Sequence, residues 1–252
     1  TLESKEMETS FLPLYAMFLL AQFRDRSAYP LIVGLCKLPR DVLDNMLGDT
    51  ITDGLSRIIA SVFDGNIELI ASVVEDSSVD EYVRGSALRS LSILVREAVL
   101  LRADVISYLT ELFRGKLEKE YSHVWNVLAS EAVDLHATTL AGDIRGAYEK
   151  GFLLTGFMHP KEVDQVFAMP EERALAQSKD RCKGLIDDVV NTVISEQLAL
   201  SSVEGSSVNG KLFDFVCNRL PPPYPRTYPI GLDIEACTFK ALEQAWEKAK
   251  EP

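Results

Sequence analysis

Apolar residues recur at steps of three and four from residue 11 to about residue 200, the spacing that lines one side of an α-helix. Leu12, Tyr15, Leu19 and Phe23 set the first stripe, and Arg24-Asp25-Arg26-Ser27 interrupts it. Tyr29 to Leu38 predicts a second helix that stops at Pro39. Asp41 is placed to cap a third, carrying Val42, Leu43 and Leu47 and closed by Gly48. Thr52 or Asp53 opens a fourth with Leu55, Ile58, Ile59 and Val62, and Asp64-Gly65-Asn66 ends it. Helical pattern continues over 67–74, 82–91, 104–116 and 121–136, then near 139–153, 160–168 and 171–178, and strongly over 184–200. No strand alternation of any length stands out.

The segment 76–91 carries the most information. Asp76-Ser77-Ser78-Val79-Asp80 reads as a short acidic turn, and the helix after it opens Val83-Arg84 and places Ala87, Leu88 and Leu91 on one side. A helix, a turn bearing Asp and a helix beginning Val-Arg resemble the α-hairpin of HEAT-like repeats. That resemblance implies that Arg84 ties neighbouring turns together, with Asp76 or Asp80 as its partner. The units recur at roughly 35 to 40 residues, within the range of helical repeats, although sequence identity between them is weak. The expected fold is therefore all-α, a HEAT-like superhelix of stacked helical pairs occupying residues 1–200.

Beyond Leu200 the composition changes. Residues 201–210 are small, polar and linker-like, and Pro221-Pro222-Pro223-Tyr224-Pro225 reads as extended polyproline II. A last helix is expected over 234–250, with Phe239, Leu242 and Trp246 able to dock it. Residues 201–252 are thus read as a linker, a Pro-rich strap and a C-terminal helix packed on the repeat body. The run Pro221 to Tyr224 also fits the P-P-x-Y ligand pattern of WW domains, so Tyr224 is a candidate partner contact.

Charge narrows the function classes. With 38 acidic against 26 basic residues the net charge is −12, which disfavours nucleic acid as a partner because backbone binding needs concentrated Lys and Arg. The apolar run 12–23 is broken by Pro13 and Gln22, well short of the roughly 20 clean residues of a membrane span, and the N-terminus shows no signal-peptide pattern. A cytoplasmic location is the expectation. Cys36, Cys182, Cys217 and Cys237 are widely spaced without a C-x-x-C pair, so neither a disulfide framework nor a zinc site is expected.

Motifs for catalysis are not visible. His123, His136 and His159 belong to no H-E-x-x-H, and no nucleophile elbow or Gly-rich phosphate loop occurs. Asp187-Asp188 and Glu171-Glu172 are neighbours about 100° apart on a helix, which does not make one ligand site. Trp125 beside His123 invites an active-site reading, but its spacing with Val124 and Leu128 is that of a core or inter-repeat contact.

The runs Leu14-Tyr15-Ala16-Met17-Phe18-Leu19-Leu20-Ala21-Gln22-Phe23-Arg24 and Ala28-Tyr29-Pro30-Leu31-Ile32 carry a second resemblance. Together with Leu47-Gly48-Asp49-Thr50, Glu81-Tyr82-Val83-Arg84 and Val124-Trp125, they resemble the DUF1186 family, bacterial proteins of unknown function related to HEAT-like repeats. The likeness covers roughly residues 10–170. It implies an all-α superhelix and supplies no catalytic residues. The Cys-rich zinc motif that members of that family often carry at the C-terminus has no counterpart here, so zinc is not implied and no cofactor is expected.

The reading is a non-catalytic scaffold that binds a protein or peptide on its concave face. The second helix of each pair normally lines that face, which puts Tyr82, Arg89 and Ser122 to Trp125 near it. The alternative is an enzyme or small-ligand protein with a site assembled between repeats.

Overall fold

The computed structural model describes residues 12–181, 183–189 and 192. These form twelve α-helices, short 3-10 turns and one π-helical turn, with no strand among the described residues. In chain order the helices are α1 (Leu12–Phe23), α2 (Tyr29–Leu35), α3 (Arg40–Leu47), α4 (Thr50–Asp53), α5 (Leu55–Val62) and α6 (Ile67–Val74). They continue with α7 (Glu81–Arg96), α8 (Arg102–Glu111), α9 (His123–Asp134), α10 (Ala141–Glu149), α11 (Pro160–Phe167) and α12 (Glu171–Arg181).

Packing follows the apolar stripes. Helices α1, α5, α7 and α9 lie side by side in one row, with α11 and α12 against α9. Helix α6 backs α2 and α7, α8 backs α7, and α10 packs on the π-helical turn Leu112–Lys116 that follows α8. One apolar cluster runs through the stack: Leu20, Ile58, Leu88, Leu91, Val124 and Leu128 are all fully buried. Each such side chain contributes about 1.5–3 kcal/mol relative to exposure, and this dominates over intrinsic helix propensity.

Several polar contacts between elements span 40 to 42 residues, whereas those of Arg84 with Glu118 and of Arg102 with Leu135 span 34 and 33. Arg40 reaches Asp80 across 40 residues, Lys116 reaches Glu75 across 41, and Arg89 reaches Glu131 across 42. The Glu81 carboxylate likewise accepts from the His123 backbone N–H 42 residues on. Tyr82 on the first turn of α7 stacks on His123 on the first turn of α9, and Arg89 meets Glu131 further along, so the two helices run parallel. Gly85 permits the close approach: a Cβ there would meet Val127 Cγ2 at 3.0 Å.

Three row helices end in the same way. The backbones of Arg24, Ala98 and His136 sit at φ 57°, 56° and 50°, the left-handed region normally taken by glycine. In each case the paired bonds of a Schellman motif close the helix: Arg24 to Ala21 with Asp25 to Leu20, Ala98 to Val95 with Val99 to Leu94, and His136 to Val133 with Ala137 to Ala132. None of these ends carried a glycine signal.

Several sequence-based expectations need correction. The second helix stops at Leu35 rather than Leu38, and α3 begins at Arg40 with no side-chain cap from Asp41. Arg84 bonds neither Asp76 nor Asp80. It is 2% exposed, its Nε donates to Val74 O at 2.9 Å, and its two terminal nitrogens grip Glu118 Oε1 and Oε2 at 2.7 Å each. Asp76 instead folds onto Ser78 in its own turn, and Asp80 caps α7 while pairing with Arg40. Finally, residues 183–188 are not helical. The expected C-terminal strap and last helix, including Tyr224, lie outside the described residues.

Candidate functional site

Residues 183–188 form an irregular, non-helical strap with bends at Leu185 and Asp187, held mainly through the backbone. Arg57 on α5 donates from Nε to Gly184 O at 2.9 Å and from a terminal nitrogen to Leu185 O at 3.2 Å. Arg24 Nη1, just beyond α1, donates to Ile186 O at 2.7 Å. Ser61 Oγ accepts from Ile186 N at 3.0 Å, and Gln22 Oε1 from Val189 N at 2.8 Å. The Ile186 side chain is fully buried, while Asp187 meets Arg24 at the surface. The strap passes α7 near Glu97, whose carboxylate lies 2.7 Å from where a Cβ on residue 184 would sit, so Gly184 suits this crossing.

Along α7 the strap leaves a line of partly exposed positions, Tyr82, Arg89 and Arg96, each seven residues after the last. On α9 the corresponding partly exposed positions are His123, Ser130 and Asp134. Tyr82 and His123 stack with ring centroids 4.5 Å apart, the Arg40 guanidinium lies 5.4 Å from the Tyr82 ring, and Phe157 meets His123 edge-on at 5.8 Å. Burial lowers the His123 pKa, favouring the neutral imidazole.

The next layer of this line is charged. Arg89 Nε lies 3.3 Å from Glu131 Oε1, and the Glu131 side chain is only 3% exposed. Burial pushes the Glu131 carboxyl upward and Asp134 adds to this, while Arg89, Ser92 and Arg96 work in the opposite direction. Glu131 Oε2 and Arg96 Nη1 are buried without a hydrogen-bond partner. Leaving such a group unpaired costs about 1–3 kcal/mol, more when it is charged.

Beside α9 opens a cleft of about 460 Å³ lined by Ser130, Val133, Asp134, Phe157, Met158, Glu162 and Val166. Phe157 is 46% exposed. Helix α11, which supplies Glu162 and Val166, is fixed by a reciprocal cap: His159 Nδ1 accepts from Lys161 N and Glu162 accepts from His159 N.

Of the residues expected to meet a partner, Tyr82 and Arg89 stand on the partly exposed line of α7. Ser122 and Trp125 do not join them. Ser122 is 8% and Trp125 4% exposed; the indole donates to Glu118 O at 3.1 Å and its ring packs near Phe113 and Phe152. Sequence reasoning missed Glu131, Arg96, Asp134, Phe157 and Glu162. The separation of 42 residues between Arg89 and Glu131 was the available signal for the first of these.

Cys36 is buried with its thiol against Ile32 O, and burial pushes it up to about 12. Cys182, Cys217 and Cys237 lie outside the described residues. Among the described residues no group of three His, Cys, Asp or Glu side chains could hold a metal ion, and no helix is long and apolar enough to cross a membrane.

A family model described as "Protein of unknown function (DUF1186)" matches residues 3–197. An uncharacterized protein of Chlamydia muridarum is 35% identical over 177 residues, which are 70% of this chain and 71% of that protein. An uncharacterized protein of Chlamydia trachomatis serovar D is 38% identical over 153 residues, 61% of each chain. No solved structure matches this chain.

Proposed function

The chain belongs to the DUF1186 family of proteins of unknown function, and from that premise we propose a non-catalytic, HEAT-like superhelical scaffold that holds an extended protein segment along the α7–α9 line. The single observation that carries this reading is the strap: the row of helices already holds one non-helical segment, chiefly by its main chain. Main-chain capture by arginine and hydroxyl groups tolerates many sequences, with side-chain niches adding selectivity.

The α7–α9 line offers the same chemistry further along the row. Arg89 and Arg96 are donors suited to carbonyl oxygens, as Arg57 and Arg24 are to the strap. Several of the contacts between elements span 40 to 42 residues, a length within the range of helical repeat units. The proposed location is the cytoplasm.

The test is selection of unstructured twelve-residue peptides from a displayed library on the full chain, followed by fluorescence anisotropy of the recovered binders. Replacing Arg89 and Arg96 together with Ala is expected to weaken binding about tenfold or more, equal to roughly 1.4 kcal/mol, with helicity by circular dichroism unchanged. Selection that yields no binder, or binders indifferent to the double substitution, refutes the reading.

A further inference from the structure

We infer that the aromatic face at the N-terminal ends of α7 and α9 is the docking site of this chain's own proline-rich segment, Pro221 to Pro229. The assignment goes beyond the scaffold reading and does not depend on Arg89 or Arg96. Five large hydrophobic side chains stand exposed among the described residues, and three of them gather here: Tyr121 and Phe157 at 46% and Leu154 at 48%. Helix α9 brings them together. Asn126 Nδ2 donates to Tyr121 Oη at 3.4 Å and Asn126 Oδ1 accepts from Leu154 N at 3.1 Å, while one turn earlier the His123 ring meets Phe157. Tyr82 on α7 extends the row by stacking on His123. Contiguous apolar exposure of this kind marks a contact site more often than bare surface.

The spacing of the row selects the occupant. Ring centroids stand 4.5 Å apart from Tyr82 to His123 and 5.8 Å from His123 to Phe157. The row therefore spans no more than about 10 Å, close to the ~9 Å advance of one turn of polyproline II. In that conformation every third residue returns to the same edge, which puts Pro222, Pro225 and Tyr228 in line. Proline-rich segments dock on aromatic surfaces because little entropy remains to be lost and no N–H of a proline is left unsatisfied against the rings. A mainly charged segment would give up its hydration there without a partner to replace it.

The segment lies outside the described residues, and connectivity allows it to arrive. Val189 N is anchored on Gln22 of α1, two helix spacings or about 20 Å from α7 across the row. The sixteen residues of α7 add about 24 Å along its axis. Even at the helical rise of about 1.5 Å per residue, the chain from Val189 to Pro221 advances about 48 Å. A tethered segment meets its site at an effective concentration on the order of millimolar, which favours it over a foreign proline-rich partner.

The experiment compares the wild-type full chain with a full chain in which Pro221, Pro222, Pro223 and Tyr224 are all changed to Ser, both carrying isotope-labelled histidine. The His123 ring resonances should differ between the two, while those of buried His136 stay in place. A fluorescent synthetic peptide of residues 220–230 is then titrated into each. It should bind the Ser-substituted chain at least about tenfold more tightly than the wild type, whose own segment competes, and return the His123 resonances towards their wild-type positions. Phe157→Ser with Tyr121→Ser, added to the Ser-substituted chain, should abolish that binding with helicity unchanged, since both side chains are nearly half exposed. Identical His123 resonances in the two chains overturn the inference. So does a peptide that fails to bind the Ser-substituted chain, or one whose binding ignores the Phe157 and Tyr121 changes. Equal binding to both chains means a face open to foreign proline-rich partners, and it overturns the assignment to this chain's own segment. Sedimentation that finds the wild type dimeric and the Ser-substituted chain monomeric places the segment on a second copy, and overturns it likewise. Arg89 and Arg96 are untouched throughout, so the scaffold reading stands or falls on its own test.

Discussion

Glu118→Gln tests the physical account of how neighbouring parts of this stack are locked. Arg84 is buried on α7, and its charge is matched by one bidentate carboxylate and one backbone carbonyl. Removing one partner of a buried pair strands the other, at a cost of about 3–5 kcal/mol. Gln retains one acceptor oxygen, so the expected loss is about 3 kcal/mol, the lower end of that range. The same pair predicts a pH dependence. Burial alone would raise the Glu118 carboxyl, but hydrogen bonding and the charge of Arg84 outweigh it and bring it down to about 2 from 4.5. A depressed carboxylate stabilises the fold fully above its unfolded value, and this contribution disappears as pH falls from about 4.5 towards about 2. Taken at full value the shift corresponds to roughly 3 kcal/mol; the partial exposure of Glu118 reduces this to about 2 kcal/mol after solvent screening. Urea unfolding followed by circular dichroism, repeated between pH 7 and pH 2.5, measures both quantities. The wild type should lose stability through the acid window, and Glu118→Gln should start lower and lose less. A neutral-pH loss below about 1 kcal/mol, or an unchanged acid slope in the variant, refutes the reasoning.

Two further predictions concern the backbone. Ala98→Gly relieves a left-handed residue on an exposed helix end and should stabilise the protein by about 0.5–1 kcal/mol, read as a rise of roughly 1–4 °C in melting temperature. A fall in melting temperature would contradict the strain assigned to that position. Gly85→Ala gains about 1 kcal/mol of helix propensity but presses on the buried Val127, and overpacking of that kind costs about 1–3 kcal/mol. The expected net effect is destabilisation of about 1 kcal/mol with a disturbed Tyr82–His123 stack, seen in the His123 ring resonances; an equally stable variant with unchanged resonances would remove the constraint.

Most of the helices were legible because one side of each is apolar and the interruptions are polar or glycine-bearing. What could not be read is where long-range partners intervene. Lys183 to Asp188 have a helix-compatible pattern, yet Arg57, Arg24 and Ser61, more than a hundred residues away, hold the main chain in a non-helical path. Arg84 found Glu118 rather than the acids of its own hairpin because a π-helical turn ending near Gly115 carries the chain back towards α7. The left-handed ends at Ala98 and His136 were invisible because their paired hydrogen bonds override the residue preference. The partly exposed positions Tyr82 and Arg89 on α7 were among the residues expected from the resemblance to helical repeats. Phe157 and Glu162 were not, since their place beside α9 depends on the path of the chain after α10.

The strap changes the topology of cooperation in this molecule. Contacts between helices of the row join residues a few dozen positions apart. Arg24 and Asp187 are 163 residues apart, and their junction fastens the first helix to the segment that follows the last described one. Closing so long a loop costs entropy once, slowly increasing with length, and its return is that α1 does not open independently of the strap. Severing the strap should therefore convert one concerted unfolding transition into staggered local openings, beginning at α1.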